Sequence, residues 1–118
     1  GVHIDPERLR QVLLNLAQNA AQAMEGKGRL VMRTRVVPGQ TGEGARRVVE
    51  VHVLDTGPGI PADLRSRIFE PFFSTKERGT GLGLAIVHRI IEQHRGSITA
   101  EAGADSTGTV MTIRLPLA

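Results

Sequence analysis

The sequence predicts an α+β protein, a two-layer α/β sandwich whose mixed, mostly antiparallel sheet is covered on one face by three helices. Two observations carry that expectation. The order of hydrophobic periodicities, α-β-β-α-α-β-β, leaves the strands in consecutive pairs with helices grouped between them. The length, 118 residues of which 40% are hydrophobic, is enough for one core and short for two, so the chain reads as one domain over residues 1–118.

The first helix is the clearest element. Asp5 suits an N-cap, Pro6 suits the first helical position, and Leu9, Val12, Leu13, Leu16, Ala20 and Met24 recur at helical spacing. Gly26 and Gly28 end it. Two β-rich runs follow, Arg29 to Val37 and Val48 to Leu54, joined by PGQTGEGARR, whose Pro and Gly content marks an exposed hairpin loop. A short helix is expected near Ala62 to Ile68. A long amphipathic one is expected near Leu82 to His94, closed by Gly96. Strands Ser97 to Ala102 and Thr109 to Leu115 flank a Gly-Ala-Asp-Ser-Thr-Gly turn.

Composition removes several function classes. No apolar run approaches the ~18 residues that cross a bilayer and no signal peptide opens the chain, so no membrane contact is expected. The absence of cysteine excludes a disulfide framework and thiolate metal sites, and fits a cytoplasmic protein. The net charge of +3 comes mainly from scattered arginines, with no Trp or Tyr for bases to stack on, which argues against nucleic acid. All three phenylalanines, Phe69, Phe72 and Phe73, fall within five residues, so the core must be aliphatic and the aromatics serve a local task.

Three constellations carry chemistry. On the first helix Asn19 falls at the edge of the apolar arc, with Asn15 one turn before it, and should be half-buried. Asparagine is a poor helix former, so a half-buried one is either an amide bonded to a neighbouring loop or an oxygen ligand for Mg²⁺ whose charge a nucleotide's phosphates neutralise. Next, VVEVHVLD runs into Thr56-Gly57-Pro58-Gly59-Ile60. Gly57 and Gly59 can take positive φ or let a planar ring approach the backbone. Asp55 either caps that turn or accepts a hydrogen bond from the amino group of adenine, where guanine presents a carbonyl. Third, GTGLGL, Gly79 to Leu84, opens a helix and offers backbone N–H groups to an anion, although its spacing matches neither a dinucleotide fingerprint nor a P-loop. Between the glycine runs, FEPFFSTKERG reads as a lid whose Lys76, and less readily Arg78, reaches a terminal phosphate or stays solvated.

Taken in this order, the motifs NLAQNA, DTGPGI, FEPFF and GTGLGL resemble the N, first glycine, F and second glycine boxes of the catalytic and ATP-binding domain of sensor histidine kinases. That domain belongs to the Bergerat-fold superfamily that also holds gyrase, Hsp90 and MutL. The STK after FEPFF, so close to GTGLGL, is most similar to the short-lid nitrogen-regulation type. The resemblance implies ATP and Mg²⁺ as ligands, with Asn19 on the metal and Asn15 and Lys76 joining it in catalysis. It implies nucleotide contacts from Asp55, Gly57, Gly59, Ile60 and Phe72, and from the run Gly79, Thr80, Gly81, Leu82, Gly83 and Leu84. It also implies transfer of the γ-phosphoryl group to a histidine on a dimerisation hairpin of the same protein, a downstream response regulator, and an isolated domain that is a monomer.

Two departures bear on this. Gln22 stands where many relatives carry a basic residue that reaches phosphate, so either Lys76 compensates or affinity is lower. His3, His52, His88 and His94 each lack the following acidic residue of a phosphoacceptor, so the sequence reads as a domain that begins where that hairpin would end. His94 is expected to meet the end of the last helix and His52 to sit in a strand. The resemblance also raises an ATPase of the gyrase, Hsp90 or MutL kind. Those enzymes place a water-activating glutamate four residues before the metal asparagine, whereas this chain has Asn15, an amide that accepts no proton at neutral pH. A degenerate scaffold would keep the fold without the four intact boxes.

Overall fold

A computed structural model describes residues 5–38, 47–70, 83–103 and 108–116. Helix α1 spans Pro6–Ala23: the Asp5 carboxylate accepts the Glu7 backbone N–H at 2.9 Å and Pro6 occupies the first turn, as the sequence requires. Its last carbonyls are closed by Glu25 N–H on Gln22 O at 3.1 Å and Gly26 N–H on Ala21 O at 3.0 Å. This double closure needs a left-handed residue after the helix, and Glu25 (φ 54°) supplies it ahead of Gly26 (φ 76°).

Four strands follow, β1 (Leu30–Val37), β2 (Val48–Asp55), β3 (Ser97–Ala102) and β4 (Thr109–Pro116), in the spatial order β1-β2-β4-β3. Among the described residues every pairing is antiparallel. Because side chains alternate along a strand, the register decides what meets the helices. Val53 lies opposite Met111, which lies opposite Ala100; Val51 lies opposite Ile113, which lies opposite Ile98. These rows meet Val12 and Leu16 of α1 and Val87, Ile90 and Ile91 of helix α2 (Gly83–Gln93) in one aliphatic core. Burying each such side chain is worth ~1.5–3 kcal/mol, so Ile113, 1% exposed at the sheet centre, is a position where truncation to alanine removes ~2–5 kcal/mol. Edge strand β1 lies outside this cover, and its Met32 and Val36 stay 44% and 55% exposed.

The expected third helix is absent, so the described helices number two. Where a helix over Ala62 to Ile68 was expected, there is a 3-10 turn, Ala62–Leu64, continued by i→i+3 bonds from Arg67 N–H to Leu64 O and from Glu70 N–H to Arg67 O, both 2.9 Å. Seven residues with one buried anchor, Ile68, give too little apolar cover to repay an α-helical nucleus. The other elements lie within a residue or so of expectation. Helix α2 ends on Arg95 (φ 62°), whose N–H bonds Glu92 O at 3.0 Å while Gly96 N–H bonds Ile91 O at 2.9 Å. Gly96 is glycine for a different reason than turning the chain: a Cβ there would collide with the Arg114 carbonyl and lie 2.8 Å from Leu115.

The sheet face away from the helices is organised by charge. Glu50, 4% exposed at the middle of β2, accepts Arg35 Nε from β1 at 2.7 Å and Arg114 Nε from β4 at 2.8 Å, and His52 Nε2 lies 3.1 Å from it. The long side chains of its partners cover the carboxylate. The Arg35 guanidinium first, with His52 and Arg114, pulls the Glu50 pKa from 4.5 down to about 2 against the opposing cost of desolvation.

Candidate functional site

The exit of β2 is the centre of the site. Asp55, its last residue, accepts the Gly57 N–H on Oδ1 at 2.9 Å. The turn-capping role foreseen for this carboxylate is therefore present, and it uses one of the two oxygens. Of the two glycines in the turn, Gly59 takes positive φ, 84°, and its missing side chain matters, because a Cβ would stand 3.0 Å from the Gly108 carbonyl oxygen. Gly108 (φ 71°) lies closer still: a Cβ on it would run into the Asp55 carbonyl. The turn after β2 and the start of β4 are thus packed backbone to backbone, which glycine alone permits.

Asp55 pairs in register with Thr109, a 5% exposed residue on the neighbouring strand, so a hydroxyl and a carboxylate share one end of the sheet. Gly108 and Thr109 were not expected from the sequence. The contact joins segments far apart along the chain, and GADSTG carries only a turn signal.

Helix α1 is fastened to this turn at its C-terminal end. Thr56 Oγ1 accepts the Arg29 backbone N–H at 3.0 Å and donates to Met24 Sδ at 3.4 Å. Asn19 is five residues before Met24, ~7.5 Å along the axis, and Asn15 one turn further. Both are half-buried, as their place at the edge of the apolar arc requires. Ile60 packs on the core beside the turn and Leu84 packs on it from the first turn of α2, which opens at Gly83. Phe69 stacks on His88 with ring centroids 5.5 Å apart, and His88 Nδ1 lies 3.1 Å from Glu92 Oε1. The structure therefore gathers Asp55, Gly57, Gly59 and Ile60 at the exit of β2, docks the asparagine helix against that turn, and packs Leu84, next to Gly83 at the start of α2, on the same core as Ile60. Phe72, Lys76, Gly79, Thr80, Gly81 and Leu82, with Arg78, lie outside the described residues.

Of the other histidines, His52 and His94 fall into structural places, and His3 lies outside the described residues. His94 Nδ1 donates to the Ile90 carbonyl at 2.7 Å, closing the end of α2, and His52 is a β2 residue beside Glu50. Among the described residues no group of three or more His, Cys, Asp or Glu converges on a point. No helix among them is long and apolar enough to cross a membrane.

Comparison with known proteins places the chain in a family. Residues 4–118 match the family model described as histidine kinase-, DNA gyrase B-, and HSP90-like ATPase. The sensory histidine kinase/phosphatase NtrB of Rhodobacter capsulatus is 45% identical over 119 residues, an alignment covering 97% of this chain and 33% of NtrB. The chain thus spans about a third of that relative. Among solved structures, a mycobacterial sensor histidine kinase, MprB, superimposes with a TM-score of 0.81 at 34% identity, covering 98% of this chain and 74% of that one. Full-length ShkA in complex with AMPPNP superimposes with a TM-score of 0.77 at 38% identity, over 94% of this chain and 22% of ShkA.

Proposed function

We propose, for a chain that belongs to the histidine kinase-, DNA gyrase B- and HSP90-like ATPase family, that it is the sensor-kinase catalytic domain which binds Mg·ATP and donates the γ-phosphoryl group to a histidine of the same protein. The observation that carries the nucleotide reading is the exit of β2. There the Asp55 carboxylate is held by the Gly57 N–H within a turn whose Gly59 lies against Gly108, with no room for a side chain at either glycine.

At that turn Asp55 accepts a hydrogen bond from the exocyclic amino group of adenine, and a guanine carbonyl facing the same oxygens is repelled. Gly57, Gly59 and Ile60 shape the base pocket. The amide oxygens of Asn19 and Asn15, on the helix latched to the turn through Met24, face the phosphates. A divalent ion would be held by one neutral amide, Asn19, and by the nucleotide's own oxygens. When bound, Mg²⁺ neutralises phosphate charge. Gly79 to Leu84 extend the phosphate loop into the start of α2, and Phe72 and Lys76 belong to the lid, with Lys76 set toward the γ-phosphate.

Transfer is then a matter of positioning and charge, and the acceptor imidazole attacks in line with no base required from this chain. Hydrolysis is disfavoured because Asn15 stands where an ATPase needs a carboxylate. The acceptor lies on a dimerisation hairpin of the same protein and a response regulator receives the group in turn, while this domain by itself is monomeric and works in the cytoplasm.

Two measurements test the reading. Calorimetric titration should show binding of Mg·ATP well above that of Mg·GTP, and equal affinities would remove the role given to Asp55. Adding a hairpin domain bearing His followed by Glu or Asp should yield an acid-labile phosphoryl adduct from ATP. Hydrolysis without such an adduct would favour the ATPase reading instead.

A further inference from the structure

Met24 makes a contact that the nucleotide chemistry leaves unused. Its sulfur takes the Thr56 hydroxyl proton across 3.4 Å, and the same hydroxyl oxygen accepts the Arg29 backbone N–H at 3.0 Å. Gly28 walls the pair in, since a Cβ there would stand 2.5 Å from the sulfur and 2.6 Å from the hydroxyl oxygen. The end of α1, the entry to β1 and the turn carrying Asp55 therefore meet at one thioether. The chain's three methionines differ in access: Met111 is 4% exposed in the core, Met32 is 44% exposed on the edge strand, and Met24 is half-buried, packed yet reachable.

We propose that Met24 is an oxidation-sensitive latch on the nucleotide loop, whose conversion to the sulfoxide by a hydroperoxide weakens ATP binding. A sulfur lone pair attacks the terminal peroxide oxygen, the S–O bond forms as O–O breaks, and the departing hydroxide or alkoxide takes the proton of the transferred oxygen and leaves as water or alcohol. Sulfur is oxidised by two electrons, the peroxide is reduced by two, and methionine sulfoxide reductase reverses the change. The new oxygen adds polarity and bulk at a wedge between Gly28 and Thr56. On the lone pair that faces Thr56 it would lie in the space of the hydroxyl. Thr56 must then leave the sulfur, and Asp55, its chain neighbour, moves with it.

This rests on the assignment of Asp55 to adenine, so the test separates the two. The chain is treated with increasing hydrogen peroxide, each methionine is scored by peptide mass spectrometry, and ATP affinity is followed by calorimetry. Affinity should fall at least about fivefold in step with the Met24 sulfoxide and return after the reductase. Met24→Leu should resist the same treatment, whereas Met32→Leu should lose affinity as the native chain does. Full oxidation of Met24 with affinity unchanged, an equal loss in Met24→Leu, or no return once the sulfoxide is reduced would each overturn the latch. Undiminished ATP binding by unoxidised Asp55→Ala would instead refute the loop assignment on which it depends.

Discussion

Gly108 has no room for a side chain and takes a backbone conformation that other residues avoid. Gly108→Ala should therefore cost roughly 1–3 kcal/mol in a thermal or denaturant melt and weaken ATP binding in protein that remains folded, because the strain falls on the Asp55 carbonyl. Asn19→Ala is expected to behave in the opposite way. From its half-buried place at the edge of the apolar arc it should leave the fold intact and abolish the magnesium dependence of ATP binding, read by titration with and without the ion. The contrast also marks what the chain discloses in one dimension. The edge position of Asn19 follows from a local period of 3.6 residues, so it can be read directly. The pressure of Gly108 on Asp55 arises from strand pairing between distant segments, and no local pattern encodes it.

At the scale of elements, helix ends and strand charges decide stability. Arg95 ends α2 in a left-handed conformation that costs an L-residue about 1–2 kcal/mol, so Arg95→Gly should raise stability by up to about 1 kcal/mol after the added freedom of the unfolded chain is subtracted. Gly96→Ala should lower it, since the extra carbon meets the Arg114 carbonyl. The sequence marks a stop at Gly96, but which of the two residues turns left is fixed by the packing of Gly96 on β4. On β2, the Glu50 pKa is depressed in the folded state, so its contribution is fully present above its unfolded value of 4.5 and is lost as pH falls toward about 2. Denaturant titrations from pH 6 to pH 3 should show stability falling below pH 4.5 more steeply for the native chain than for Glu50→Gln. Parallel curves would mean the three-strand contact adds nothing to folding.

For the whole molecule, the layer arrangement was legible because strand pairs and amphipathic helices alternate in an order few topologies satisfy. The missing third helix was not, because a seven-residue segment looks helical by composition while its fate depends on how much apolar area it can cover, a tertiary quantity. The site was half legible in the same sense. Its loops carry their own glycine signatures, but the bond from Thr56 to Met24 and the pairing of Asp55 with Thr109 exist only once the sheet has formed. At this scale the chain by itself should bind ATP and turn it over at close to the background rate, measured as phosphate release over hours. A rate that rises with enzyme concentration and vanishes on Asn15→Ala would show a hydrolytic role for that amide.

Among the described residues the helices lie on one side of the sheet, and the other side would be half of a β-sandwich if it were oily. The guanidinium groups of Arg35 and Arg114 over Glu50 prevent that outcome, because a second sheet approaching this surface would have to strip water from arginines that already share the buried Glu50 carboxylate. Replacing the trio with leucines would thus invite two copies to stack back to back, and protein concentration rather than sequence would then set how many layers the particle has.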